Sequence, residues 1–167
     1  MKILQLCAFS NLWDPVHQVE SIDLKSGKNV FDLENSYGKN FDFIISSPPC
    51  TQYTVANNRN WLEYPASDVA ITKKCLQISL ESGKPWVMET TIGRIEKLLP
   101  ELKKFRIGIW QSRITTKKHT VYSNHLFLFP FQKGNKSVVD IRNVIWRETW
   151  QKDFIEDIQN NVVLLLT

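Results

Sequence analysis

Hydrophobic positions along the chain form short runs separated by polar turns, a pattern typical of buried strands. Four such runs precede residue 48 and predict four strands: "KILQLCAF", "QVESIDL", "NVFDL" and "FDFIIS". Later runs predict further strands at "KPWVMETT", "FRIGIWQ", "HTVYSN" and "HLFLF". Several runs end on an acidic or polar residue, so candidate functional side chains are predicted at the strand ends.

Helical spacing appears between these runs. The segment "SDVAITKKCLQISLESG" predicts a helix with Ser67 or Asp68 as its N-cap and Gly83 as its C-cap. "GRIEKLLPEL" predicts a short helix that ends near Pro100, and the tail from residue 138 predicts an amphipathic helix followed by an edge strand or packed terminus. Alternating strands and helices predict an α/β, Rossmann-like fold, with a mostly parallel sheet flanked by helices.

Composition limits the size and setting of this fold. The chain has 167 residues, 43% of them hydrophobic, which suits a single minimal domain. A net charge of +4 agrees with a polyanionic partner without requiring one. Three cysteines without a secretion signal indicate a reducing, cytoplasmic setting, and no segment is long enough to span a membrane. The three histidines are spaced too irregularly to predict a metal site.

Residues after the first four strands should meet at one edge of a parallel sheet, where α/β folds bind ligands. An acidic residue after the second strand can accept hydrogen bonds from ribose hydroxyls, and one after the third can meet an adenine amino group. Turn initiation is the alternative role for both acids. The predicted cofactor-binding residues are Phe9, Ser10, Asp23, Asp32, Ser47 and Pro48.

Cys50 follows two prolines that stiffen the loop "SSPPCTQYT". A rigid loop suits a nucleophile, although a buried structural thiol is the alternative. Glu89 is predicted to end the strand in "WVMETT". A carboxylate after an apolar run is costly to bury, so Glu89 should be either solvated or functional. A basic segment between two later strands could meet phosphates or a base carbonyl, or could be a solvated hairpin; it contains Arg113, Lys117, Lys118 and His119.

Taken together, these residues resemble the DNA cytosine-5 methyltransferases, particularly compact phage-type ones. "SPPCTQYT" is similar to that family's proline-cysteine motif, "VMETTIGRIEKL" to its glutamate block and "TKKHTVYSN" to its basic block, over residues 2–126. The resemblance implies a class I methyltransferase fold that uses S-adenosylmethionine and DNA. It divides the domain into a cofactor-binding half (1–47), a catalytic half (48–130) and a C-terminal helix and strand (138–167).

The family mechanism would make Cys50 the nucleophile on carbon 6 of a flipped cytosine, while Glu89 hydrogen-bonds ring nitrogen 3. Arg113, or Lys118 in the other alignment, would contact the base carbonyl or a phosphate. The chain departs from the family in three ways. "AFSNLWDP" lacks the glycines of the usual first loop, Thr90 and Thr91 replace the residues after the catalytic glutamate, and no large target-recognition region fits.

These departures keep other hypotheses open. A degenerate methyltransferase fold could serve as a binding or structural module. An amino-methyltransferase would share the "SPPC" loop but would need an aromatic residue where Cys50 stands. An RNA cytosine-5 methyltransferase would need a second catalytic cysteine, and Cys75 lies within a predicted helix. The leading prediction is methyl transfer to carbon 5 of cytosine in DNA.

Overall fold

The computed structural model of the chain describes residues 1–7, 13, 15–50, 53, 67–111, 118–125 and 152–160. These residues form one six-stranded sheet with helices on both faces. The strands are β1 (Lys2–Leu6), β2 (Gln18–Ile22), β3 (Phe43–Ser46), β4 (Trp86–Thr91), β5 (Arg106–Gln111) and β6 (Lys118–Ser123). The predicted "HLFLF" and "VVLLL" strands lie mainly or wholly outside the described residues.

The strand order is β2-β1-β3-β4-β6-β5. Strands β2, β1, β3 and β4 are parallel to their neighbours, whereas β6 is antiparallel to both β4 and β5. The sheet is therefore mixed, with five strands in one direction. From β1 the chain moves outward to β2 and then returns to the other side of β1 for β3, which creates a reversal point in the strand order.

The main helix, α1 (Ser67–Ser82), forms where the sequence predicts it. Gly83 ends it at φ +66°, a left-handed conformation that glycine adopts without strain. Cys75 and Ile78 are fully buried and pack α1 against one face of the sheet. The short α2 (Ile95–Leu98) and a 3-10 helix (Pro100–Phe105) replace the second predicted helix, because Pro100 cannot continue an α-helix.

The opposite face of the sheet is covered by a helix over residues 152–160. Its residues Phe154, Ile155 and Ile158 are fully buried and form a second core with Ile45 and Val87. The part of the predicted tail helix before residue 151 lies outside the described residues. Both faces of the sheet thus carry an apolar core, as expected for an α/β fold.

One predicted strand is wrong. The segment "NVFDL" forms a 3-10 helix (Val30–Asp32), and further 3-10 turns occupy Leu24–Ser26 and Asn35–Asn40. The Asn29 side chain accepts a hydrogen bond from the backbone N–H of Phe31 at 3.1 Å, which caps the turn. Local capping therefore outweighs the strand preference of a run with three apolar residues, Val30, Phe31 and Leu33.

Candidate active site

A cavity of about 280 Å³ opens at the carboxyl ends of β1, β2 and β3. This is the reversal point of the strand order, where open α/β sheets bind their ligands. Cys7 follows β1, Asp23 follows β2 and Ser47 follows β3, and all three line the cavity. Two of the predicted cofactor residues, Asp23 and Ser47, therefore lie at the same cavity.

The backbone after Asp23 turns sharply, which holds this residue at the cavity. Its carbonyl accepts hydrogen bonds from the backbone N–H groups of Ser26 at 2.9 Å and Lys28 at 3.1 Å. Gly27 permits the turn because it adopts φ +74°. Leu24, which follows Asp23, is 75% exposed and lines the cavity together with Ile71 from α1. The cavity thus combines an acidic group with apolar walls.

Lys28 also borders the cavity, where it is held by an acidic partner. Its Nζ donates to Oε1 of Glu20 at 3.1 Å, and the Tyr37 hydroxyl donates to the same oxygen at 2.8 Å. Burial alone would raise the pKa of Glu20, but these two hydrogen bonds and the Lys28 charge lower it below its usual value. Lys28 was not among the predicted site residues, since a lysine in a "KSGK" turn carries no distinctive pattern.

Asp32 lies apart from the strand-end position predicted for it. It belongs to the 3-10 helix Val30–Asp32 and is exposed. The cavity wall from this segment is built instead by Lys28, Asn29 and Val30. Asp32 was predicted to contact adenine because it would end a strand. The structure has a 3-10 helix at this position, so the contact of Asp32 with adenine remains only a prediction.

Glu89 is buried beside the cavity, with 3% of its surface exposed. Ser47 donates a hydrogen bond to its Oε1 atom, and His119 Nδ1 lies 2.5 Å from its Oε2 atom. Oε2 accepts a hydrogen bond from Nδ1 in the imidazole tautomer that carries its proton on Nδ1. Ser47 therefore links the cavity wall directly to the Glu89 carboxylate.

Cys50 is half-buried in the loop after β3, next to the exposed Pro49 and the buried Pro48. Its carbonyl accepts a hydrogen bond from the backbone N–H of Tyr53 at 3.3 Å. The Tyr53 ring is fully buried, and its hydroxyl lies 3.2 Å from Oγ1 of Thr72.

The pKa of Tyr53 is influenced by both predicted catalytic groups, Cys50 and Glu89. Burial raises the pKa of Tyr53 well above its usual value; the hydrogen bond with Thr72 lowers it, and negative charge on Cys50 or Glu89 raises it. Both groups are therefore close enough to act electrostatically on one hydroxyl. Tyr53 was not predicted as a site residue, although it lies three positions after Cys50.

The other two cysteines form a thiol pair beneath the cavity. Cys7 Sγ lies 3.7 Å from Cys75 Sγ, and Cys7 adopts φ 55°, a left-handed conformation uncommon for a side chain with a Cβ. The hydrogen bond with Cys7 and complete burial raise the pKa of Cys75. Cys75 is thus a core thiol, and of the two only Cys7 faces the cavity.

The basic segment divides into two parts. Lys118 is exposed at the start of β6, in keeping with its predicted contact with nucleic acid. His119 is 1% exposed and contacts Glu89, so the predicted phosphate contact is wrong for this side chain. Burial removes the ring from any surface that a phosphate could reach. Four predicted site residues lie outside the described residues: Phe9, Ser10, Arg113 and Lys117.

The chain matches no family model and no curated protein in comparisons with known proteins. Within the described residues, no three His, Cys, Asp or Glu side chains are grouped so as to hold a metal ion. In the same part of the chain, no helix is both long and apolar enough to cross a bilayer. Any functional assignment therefore rests on the geometry of the strand ends.

Proposed function

We propose that the protein transfers a methyl group from S-adenosylmethionine to carbon 5 of cytosine in DNA, within a class I methyltransferase fold. One observation carries the proposal: Ser47 both lines the cavity and donates a hydrogen bond to Glu89. The cavity and the carboxylate are thereby parts of one site. Cys50 lies three residues further along the same loop.

The cavity has the features that a nucleoside cofactor needs. Asp23 supplies an acceptor for ribose hydroxyls, and Leu24 and Ile71 supply apolar walls for a flat adenine ring. The turn after Asp23 is fixed by backbone hydrogen bonds, so its carboxylate is held near the cavity before any ligand binds. S-adenosylmethionine, when bound, supplies an electrophilic methyl group.

The residues beyond the cavity suit covalent catalysis on a pyrimidine. The Cys50 thiolate forms a bond to carbon 6 of the cytosine, and Glu89 in its protonated form donates a hydrogen bond to ring nitrogen 3, which stabilises the negative charge that develops in the ring. Carbon 5 would then take the methyl group of S-adenosylmethionine, which would leave as S-adenosylhomocysteine. Loss of the carbon 5 proton to a base and cleavage of the bond between sulfur and carbon 6 release the product and regenerate Cys50.

A trapping experiment tests this proposal. The protein is incubated with S-adenosylmethionine and a DNA duplex that carries 5-fluorocytosine, whose fluorine cannot leave as a proton does. We expect a protein-DNA adduct that survives denaturation, disappears in Cys50→Ala and persists in Cys75→Ala, which removes the buried thiol. An adduct that persists in Cys50→Ala, or none in the wild type, would overturn the proposal.

A second candidate function is a methyltransferase-type domain that binds nucleic acid or a nucleoside without catalysis. It is favoured by the contacts of Glu89, because both carboxylate oxygens already meet protein groups. This candidate predicts that calorimetry detects S-adenosylmethionine binding while the trapping experiment gives no adduct. It also predicts that Cys50→Ala leaves binding unchanged.

A further inference from the structure

The two oxygens of Glu89 are held from opposite sides by side chains of different strands. Ser47, directly after β3, contacts Oε1, and His119 of β6 contacts Oε2. Each partner comes from a strand that neighbours β4, which carries Glu89. The carboxyl group is therefore fixed in both position and orientation by the sheet itself.

The register of β4 and β6 explains why His119 reaches Glu89. In this antiparallel pair Glu89 lies opposite Val121, and His119 is the diagonal neighbour two residues away. Diagonal neighbours point to the same face of the sheet and are within reach of long side chains. A shift of one residue would send the imidazole to the other face.

His119 is in turn held by a buried aromatic layer. The Trp110 ring of β5 packs edge-on against the imidazole, with ring centres 5.7 Å apart. Trp110 Nε1 donates to Oδ2 of Asp157 at 2.7 Å, and its ring packs on Phe154 at 5.1 Å between ring centres. The helix over residues 152–160 thus holds the Trp110 ring in place. The Trp110 ring in turn restricts the His119 imidazole.

We propose that His119 is a positioning residue for Glu89: it orients the carboxyl group toward the target base and supplies the donor that keeps this buried carboxyl in place. The inference rests on the proposed function, since it assigns Glu89 the task of binding cytosine. It gives His119 a role inside the site, in place of a contact with DNA phosphates. Ser47 holds the second oxygen.

The contact itself is testable without any assay of activity. The chain has three histidines, so its ¹⁵N-histidine spectrum is simple. A proton on Nδ1 that is buried and bonded to a carboxylate exchanges slowly with water and gives an observable resonance. We expect one such resonance, which is lost in His119→Asn, shifted in Glu89→Gln and retained in His125→Asn. Its absence from the wild type, or its persistence unshifted in Glu89→Gln, would overturn the proposal.

The positioning role is tested by comparing two substitutions. Asparagine places an amide N–H near the position of Nδ1, whereas leucine fills similar space without a donor. We expect His119→Leu to lower the rate of adduct formation with 5-fluorocytosine DNA ~100-fold, the loss that a misplaced reacting group produces. His119→Asn should retain most of the rate, and both variants should bind S-adenosylmethionine as the wild type does.

The possible outcomes separate this inference from the proposed function. If the wild type forms no adduct, the proposed function fails and the role of His119 fails with it. If the wild type forms the adduct and folded His119→Leu forms it equally fast, only the positioning role fails. If both His119 variants lose adduct formation and cofactor binding together, in proportion to a loss of thermal stability, His119 is structural and the inference is wrong.

Discussion

The two sides of the sheet edge are built in different ways. The cavity side, at the ends of β1 to β3, places Asp23 and the exposed Leu24 around open space. The carboxylate side lies within β4, two residues before the strand ends at Thr91; Glu89 is buried there, and each of its oxygens has a protein partner. The cavity side therefore offers space for a ligand, whereas the carboxylate side is filled by protein groups. Substitutions on the cavity side should therefore change ligand affinity. Substitutions on the carboxylate side should change both the stability of the fold and the rate of the reaction.

The largest difference should appear in stability when each acid is removed. Glu89→Leu leaves the buried His119 and the half-buried Ser47 without their carboxylate partner, and we expect it to lower the free energy of unfolding by about 3 kcal/mol. Asp23→Ala keeps the backbone turn and should change that free energy by only about 0.5 kcal/mol. Urea unfolding of both variants measures the two values. Equal losses would remove the distinction between the two sides.

The cavity side should instead respond to ligand. S-adenosylhomocysteine at 100 times its dissociation constant should raise the free energy of unfolding by about 2.7 kcal/mol, because it binds the folded state alone. Thermal unfolding with and without the ligand measures this gain. At the same concentration Asp23→Ala should lose most of it, while Asp42→Ala, an exposed aspartate away from the cavity wall, should keep it. A gain that survives in Asp23→Ala would place the ligand elsewhere.

The contact between β3 and α1, away from the cavity lining, is tightly packed. Gly38 lies between β3 and α1, where an added Cβ would come within 2.7 Å of Ile44 Cδ1 and 2.8 Å of Ser82 Cβ. We expect Gly38→Ala to cost about 1–3 kcal/mol of stability through overpacking. A Cβ added at Gly108 of β5 would meet no heavy atom within 4 Å, so Gly108→Ala is the matched control and should cost little stability. Chemical denaturation checks both variants.

The smallest effect concerns Glu20, an acid that is bonded like Glu89 but near the surface. Its lowered pKa means that the ionised form stabilises the folded state above the ordinary carboxyl value of 4.5, and that this contribution is lost as the pH falls through the folded pKa. Solvent screens the pair with Lys28, so Glu20→Gln should cost less than about 1 kcal/mol at pH 7. Below the folded pKa the variant and the wild type should unfold alike. A large cost at pH 7 would contradict the contrast between exposed and buried acids.

Much of the fold could be predicted from hydrophobic runs. Strands β1 to β4 and helix α1 fall where continuous apolar segments and helical spacing place them, and Gly83 marks the end of α1. The segment "NVFDL" has the apolar residues of a strand and was predicted as one. It forms a 3-10 turn instead, because the Asn29 side chain caps that turn. The reversed direction of β6 could not be predicted, since direction depends on the connection between strands and not on the pattern within one strand.

The candidate site could be predicted only in part, for a similar reason. Strand ends carry a local signal, so Asp23 and Ser47 could be identified from the sequence; Glu89 could be identified as an acid in an apolar run, although β4 continues past it to Thr91. The contact between His119 and Glu89 joins residues 30 positions apart and depends on the register of an antiparallel pair. A histidine next to two lysines in "TKKHT" resembles an exposed basic segment, but every residue of β6 after Lys118 is buried, His119 included.

The central claim is that the cavity and Glu89 form one methyltransferase site with Cys50. The most direct test uses S-adenosylmethionine with an isotopically labelled methyl group, DNA, and mass spectrometry of the nucleosides after digestion. The account predicts labelled 5-methylcytosine with the wild type and none with Cys50→Ala. Label on an exocyclic amino group of cytosine or adenine, or no label in DNA at all, would contradict it.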